Sequence, residues 1–464
     1  MSARTGVTSV VESAEEGRLT EIRTLARRTT LAPWIGLAAA IALTALAIAI
    51  PSILNWDVRA NDFPPLHAQW RPRLGPGTVP AIILAIVASA FAVDAAARAP
   101  WRILLLCTFV AGLAWLVSLA TVDGLDGIGQ ILDTQYEYLR TARGVTDFFA
   151  TLREYISRIP LDSQDNWPVH IAGHPPGALL FFVVLVWLGL GGGLAAGFVV
   201  ALLAASTPVA VLVTVRRLGA EECARRAAPF LVMGPAAIWM AVSGDAMFAA
   251  FAAWGLCCLA FAATSTTRRA VALWGAASGL LLGYCVMLSY GLPLLGILAC
   301  AIMVVARNWR PLPWAVVAAV AVVLAFAAAG FVWWDAYPVL VQRYWDGIAS
   351  RRPSSYWLWG NMAALAVSAG PIVGAAVGAG LRGLSPLRAA LSRPVVVLTV
   401  AAILTVLAAD LSGMSKAEVE RIWLPFVPWL LVGTALLPER WRRWGFAGQL
   451  AFALIVQHLL FTGW

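Results

Sequence analysis

The chain has 464 residues, of which 61% are hydrophobic and only 12% charged, with a net charge of +9. Soluble domains carry about 45–50% apolar and about a quarter charged residues, so this composition excludes a soluble globular protein. Apolar runs of roughly 18 or more residues recur, each long enough to cross about 30 Å of hydrocarbon, and they imply an all-α polytopic membrane protein. The positive balance comes from Arg clustered in short loops, where orientation in the bilayer calls for it, so no nucleic-acid partner is inferred.

Taken in order, residues 1–30 are polar and Arg-rich with no apolar core before a cleavage site, as in a cytoplasmic tail. Residues 31–121 hold three apolar segments, near 31–54, 78–98 and 101–121, with a loop at 55–77 that contains Asp57, Asp62 and His67. An acidic loop follows at 122–173, carrying Asp123, Asp126, Asp133, Glu137 and His170. Apolar pieces then fall near 175–190, 194–215, 227–243, 245–264, 270–288, 290–306 and 312–334. The aromatic, Arg-containing stretch 335–357 reads as a short amphipathic helix at the interface. Residues 358–464 add pieces near 358–381, 395–411, 421–437 and 445–463, for about 11–13 transmembrane helices in all. The six cysteines (107, 223, 257, 258, 285 and 300) show no metal-binding spacing and read as small core residues.

Arg sets the orientation. The groups Arg98/Arg102, Arg216/Arg217/Arg225/Arg226, Arg268/Arg269, Arg307/Arg310, Arg382/Arg388/Arg393 and Arg440/Arg442/Arg443 belong inside, which puts the acidic loop outside, in a multi-pass plasma-membrane protein. One stretch resists: two full crossings between Pro175 and Val215 would carry Arg216 and Arg217 to the outside. The rule requires an odd number there, with one piece lying along the interface or re-entering.

Chemistry concentrates where charge is rare. Asp245 sits in a tight outer turn between two apolar helices, where an ionised carboxylate needs a partner, a metal or water, or caps the helix. Mg or Mn would suit its hard oxygen ligands. His174 precedes two prolines that open a helix, a place for phosphate binding, metal ligation or a plain helix start. His170 reads as a loop residue. Lys416, Glu418, Glu420 and Arg421 form a charged cluster, and Arg421 at a helix N-terminus needs a compensating anion such as a phosphate or Glu418. Arg343, Arg351 and Arg352 are further loop cations.

Four stretches resemble the GT-C class of membrane glycosyltransferases, in particular the branch with protein O-mannosyltransferases and lipid A aminoarabinose transferases. They are Asp133-Thr134-Gln135-Tyr136-Glu137-Tyr138 with Ala142-Arg143, His174-Pro175-Pro176, Arg216–Gly219 with Ala227–Pro235, and Ser243-Gly244-Asp245-Ala246. Thr134 departs from the family, which usually has a second carboxylate there. The resemblance spans residues 133–263 and implies a GT-C-like bundle whose long outer loop carries short interfacial helices, with a transmembrane core at 174–334. It implies transfer of a sugar from a polyprenyl-phosphate donor to a hydroxyl acceptor on a glycan, lipid or protein, beside membrane lipids. Asp133 is then the expected base, with Asp126, Asp123 or Glu137 as alternatives. His174, Tyr136, Arg421, Lys416, Glu420 and Arg351 are the expected substrate-binding set, and Asp245 the candidate metal ligand. A lipid-linked sugar flippase or a secondary transporter is the competing class. Transporters place ionisable sites near the midplane in repeated halves, whereas here the acids sit at segment ends and no repeat is visible.

Overall fold

The computed structural model describes residues 31–60 and 63–463, so the 1–30 tail and Asp62 lie outside it. The described chain is a bundle of α-helices. Its one sheet is a two-residue antiparallel ribbon, Gln69–Trp70 against Leu460–Phe461, which ties the first loop to the end of the chain. Seven of the described helices are long and apolar enough to cross a membrane, or up to nine if each of two bent pairs counts as one span.

The helix Gly244–Ala263 forms the centre, with 83% of its span buried in the protein, whereas Leu31–Ile53 at the periphery is 17% buried. The central sequence is apolar all round and rich in Ala and Gly, which lets neighbouring backbones approach closely. Gly193–Arg217 and Arg268–Leu288 pack on it. A helix that sits inside a bundle has no polar face, and this one has none.

Fewer of the described helices are long and apolar enough to cross than the 11–13 expected, because several apolar stretches fold as short helices. Pro176–Trp187, Leu292–Ala306 and Val427–Leu436 are three of them. The piece expected at 227–243 splits into Glu221–Val232 and a four-residue turn of helix, Ala237–Met240. In the stretch 335–357, expected to hold a short amphipathic helix, the chain forms Trp333–Asp346, bent 76° from Leu312–Ala328. By contrast Glu439–Leu459, charged in its first turn, runs alongside Thr78–Arg98 for its whole length. Arg443 reaches Asp94 at one end (2.9 Å) and His458 reaches the Thr78 hydroxyl at the other (3.0 Å). At 1.5 Å per residue each helix is about 31 Å long, enough to span.

The ambiguous stretch at 175–215 resolves through helix length. Pro176–Trp187 has 12 residues, so it is about 18 Å long and falls short of the hydrocarbon thickness. Both of its ends also touch the acidic loop. His174 before it meets Tyr138, and the Gly191 carbonyl after it accepts from Arg143 Nε (2.9 Å). Gly193 then lies so close to the Gly129 carbonyl that no side chain would fit. In this stretch only Gly193–Arg217 is long and apolar enough to cross, an odd number as the Arg distribution calls for.

The bundle therefore has two polar ends. At one, Arg225 donates to the Ala99 carbonyl (2.8 Å), Arg216 pairs with Glu221 (2.8 Å), Arg226 donates to the Leu437 carbonyl (3.1 Å) and Asn308 to Ala263 (2.8 Å). The other end gathers the 55–77 and 122–174 loops, Asp245, the turn at 348–353 and the segment 413–422.

Candidate functional site

At this second end, buried charges from distant parts of the chain meet. Ser243 starts the assembly: its hydroxyl accepts from the Ala246 amide (3.2 Å) and caps the central helix, which fixes Asp245 in the first turn. Asp245 is 2% exposed and its carboxylate accepts from Arg421 Nη1. The other arm of the Arg421 guanidinium reaches Glu418 Oε2 (3.3 Å) and His170 Nε2 (3.4 Å). A guanidinium has only donors, so His170 Nε2 accepts, its proton is on Nδ1, and Nδ1 donates to Glu137 Oε1 at 2.7 Å. A continuous chain, Glu137–His170–Arg421–Asp245, thus links the acidic loop to the centre of the bundle.

His174 lies beside this chain. Its Nδ1 is 2.7 Å from the His170 carbonyl and 3.0 Å from the Tyr138 hydroxyl. The short contact to a carbonyl requires Nδ1–H, and burial pushes the ring below its ordinary pKa, so the imidazole is neutral and Nε2 is an acceptor. Tyr138 opens the helix Tyr138–Gly144 and stacks on Phe182 (centroids 5.3 Å apart, planes at 10°). Burial, chiefly, raises its hydroxyl well above the ordinary value, keeping it protonated.

The segment 413–422 is the most strained part of the site. Ala417 and Glu418 adopt successive left-handed conformations (φ 69° and 60°), which L side chains rarely take. The surroundings hold them there. Lys416 N–H donates to the Tyr344 hydroxyl (3.0 Å), the Lys416 carbonyl accepts from Arg352 (2.5 Å), and Ala417 N–H donates to Asn361 (3.1 Å). Asn361 in turn donates to Asp410 (2.8 Å). The contortion puts Glu418 between two guanidinia, Arg421 on Oε2 and Arg352 on Oε1 (3.4 Å). Burial alone would raise that carboxyl, but Arg421 and Arg352 outweigh it and hold it at about 2.

Glu420, two residues on, sits in a different environment. It is 1% exposed, its Oε1 accepts from the His67 amide (3.2 Å), and its Oε2 is buried with no hydrogen-bond partner. Burial, reinforced by Glu418, pushes this carboxyl up to about 7, against the backbone N–H groups and Arg421 that oppose the rise. Lys416 makes no carboxylate contact either. Its ammonium donates to the Ala349 and Arg352 carbonyls (3.1 and 3.0 Å) and lies 4.5 Å from the Trp345 ring. Burial lowers its pKa.

Of the expected residues, Glu137, His174, Asp245, Lys416, Glu420 and Arg421 come together. Asp133 is elsewhere engaged: Arg143 grips both its oxygens (2.8 and 2.9 Å) and Arg140 donates to its carbonyl (2.6 Å), on a part-exposed surface. Asp126 and Tyr136 are exposed and make no contact with the cluster, and Arg351 is exposed at its rim beside buried Arg352. His170, expected as a loop residue, is instead central, because Glu137 and Arg421 close on its two ring nitrogens. His67 and Asn361 join the cluster without having stood out as site residues, and Arg352 joins it from among the loop cations. The sign available for His67 was a lone histidine in a loop otherwise free of bases other than Arg.

Asp245 is already neutralised by Arg421, so a divalent ion bound there would first have to displace the guanidinium. Among the described residues no three His, Cys, Asp or Glu side chains are grouped to hold a cation. Comparison with protein-family models gives no match, and neither does comparison with curated proteins.

Proposed function

We propose that this end of the bundle is the transfer site of a glycosyltransferase, which moves a sugar from a polyprenyl-phosphate donor to a hydroxyl acceptor at the outer face of the plasma membrane. The observation that carries the reading is the buried chain Glu137–His170–Arg421–Asp245. It joins two of the stretches resembling GT-C enzymes, with His174 of a third alongside through Tyr138, at one polar end of the bundle.

The chemistry suits the groups present. The acceptor oxygen attacks the anomeric carbon, the bond from that carbon to the phosphate oxygen breaks, and the polyprenyl phosphate leaves with the electron pair. A leaving phosphate gains negative charge, which preorganised cations stabilise. Arg421 is committed to Asp245 and Glu418, so it serves as a scaffold. Exposed Arg351 has no carboxylate partner and is open to the phosphate, and buried Lys416, likewise without a carboxylate, keeps one N–H beyond those given to the Ala349 and Arg352 carbonyls. Neutral His174 offers Nε2 to a sugar hydroxyl.

The test supplies the purified protein in lipid nanodiscs with synthetic undecaprenyl-phosphate sugars (mannose, glucose and arabinose, each labelled) and a panel of glycan, lipid and peptide acceptors. At least one donor should be consumed with transfer of label. Lys416→Met should raise the donor KM by about tenfold or more, the scale expected for loss of one charge-assisted contact. No transfer from any donor, or a Lys416→Met protein with unchanged KM, overturns the proposal.

A further inference from the structure

We propose that Glu420, not Asp133, takes the proton from the acceptor hydroxyl; the assignment rests on the glycosyl-transfer reading of the same site. The argument is one of elimination among the acids at this end. A base must be free of a permanent counter-ion, since a bound cation lowers its affinity for the proton. Asp133 has both oxygens in the Arg143 fork. Asp245 is paired with Arg421, and Glu418 lies between Arg421 and Arg352. Glu137 Oε2 is buried without a partner, but its Oε1 takes the His170 N–H and is tied through that ring to Arg421, and Asp410 is engaged by the Asn361 amide that also holds Ala417.

Glu420 is buried as well, neither of its oxygens is bonded to a cation or to a side chain tied to one, and its Oε2 is buried without a hydrogen-bond partner. One oxygen is anchored by the His67 backbone amide, which fixes the carboxylate plane, and the other has no partner within the protein. An unfilled carboxylate oxygen is an acceptor only, and a substrate O–H is the kind of group it demands. The charged and titratable groups around it are Glu418 and Arg421 on its own turn, His67 on the 55–77 loop, Arg352 on the 348–353 turn, and Asp245 behind Arg421. Burial pushes His67 below its ordinary pKa, so that ring carries no charge at neutral pH.

Two carboxyls two residues apart are thereby driven in opposite directions, Glu418 down to about 2 and Glu420 up to about 7. Such divergence separates a permanent anion from a group poised to exchange a proton near neutrality. As the acceptor O–C bond forms and the C–O(phosphate) bond breaks, the hydroxyl proton passes to Glu420 Oε2. The buried negative charge is neutralised as the phosphate's appears, and the proton later returns to water.

The experiment compares wild type with Glu420→Gln, Glu420→Asp, Glu418→Gln and Asp133→Asn in nanodiscs, with the labelled donors named above. Glu420→Gln keeps the size and the acceptor for the His67 amide. It should lower kcat by about 100-fold or more, the scale of a lost general base, with donor KM within about threefold of wild type. The acid limb of the wild-type rate profile, with its midpoint near 7, should disappear in this variant, and Glu420→Asp should restore part of the rate. Asp133→Asn should retain the limb. Independently of activity, infrared difference titration of wild type against Glu420→Gln should show a protonated-carboxyl band lost as pH passes about 7.

If wild type transfers sugar but Glu420→Gln is as fast, or the limb vanishes with Asp133→Asn, the base assignment is overturned and the transfer reading stands. The band's absence overturns the assignment too. If wild type transfers nothing while the band titrates as expected, the transfer reading falls and takes the base role with it.

Discussion

Removing Arg421 while keeping Asp245 strands a carboxylate that is 2% exposed. Breaking a buried ion pair in this way costs about 3–5 kcal/mol, because one charge stays behind without its partner. Arg421→Met should therefore be strongly destabilised, and Arg421→Met with Asp245→Leu should recover at least half of the loss. Unfolding midpoints in mixed micelles read both, and a double variant no better than the single one would show that the pair is not what holds this region. The part-exposed Asp133–Arg143 pair provides the contrast: Asp133→Asn should cost no more than about 1 kcal/mol. Glu420 adds a pH dependence whose sign is fixed by its environment. Its folded pKa of about 7 lies above the ordinary 4.5, so its contribution to stability is full below pH 4.5 and is lost as pH rises through 7. Glu418 runs the other way, with its contribution present above 4.5 and lost as pH falls toward 2. Thermal stability should fall between about pH 4.5 and 7 in wild type and be flatter there in Glu420→Gln.

Helix packing at the periphery depends on missing side chains. A Cβ on Gly36 would fall on the Gly374 carbonyl, and one on Gly378 on the Ala32 carbonyl, so Leu31–Ile53 and Ile372–Arg382 cross backbone to backbone. Ala39 on the same helix lines an apolar cavity of about 940 Å³. Gly36→Leu should cost about 1–3 kcal/mol through overpacking, while Ala39→Leu should be tolerated, and unfolding midpoints of the two variants should differ accordingly. Most of the helices were legible from apolar runs alone. The 175–215 stretch was not, because hydropathy marks what is apolar but not where a helix stops, and its outcome turned on a 12-residue helix closed off at Trp187. In the site, Asp245, His174 and Arg421 stood out because charge or histidine beside apolar helices is rare. The His170 and His67 roles did not, since they depend on partners 33, 251 and 353 positions away, which no local pattern records. Asp133 looked like the base by motif position, but the motif does not show that Arg143 folds back onto it.

Across the whole molecule, the separation into two polar ends turns orientation into a measurable claim. The end holding Arg98, Arg216, Arg225, Arg226 and Arg443 has its cations in short connections next to helix ends, where they count most toward cytoplasmic placement. The opposite end also carries Arg, but Arg73, Arg143 and Arg158 there are paired with Asp123, Asp133 and Glu154 around one long loop, a loop type that weighs less in the rule. Gln164 is exposed on that loop, and Thr266 is exposed on the turn before Arg268–Leu288 at the other end. With the two exposed native cysteines, Cys107 and Cys300, replaced by Ser, a single cysteine at each position reports its side of the membrane. In intact cells a membrane-impermeant maleimide should label Gln164→Cys at once, and Thr266→Cys only after permeabilisation. The reverse pattern would turn the Glu420 site toward the cytoplasm and overturn the outer-face assignment. Labelling of both in intact cells would mean that the 266 turn and the acidic loop share a side. That outcome would contradict the crossing of the central helix Gly244–Ala263, on which the placement of Asp245 beside Arg421 depends.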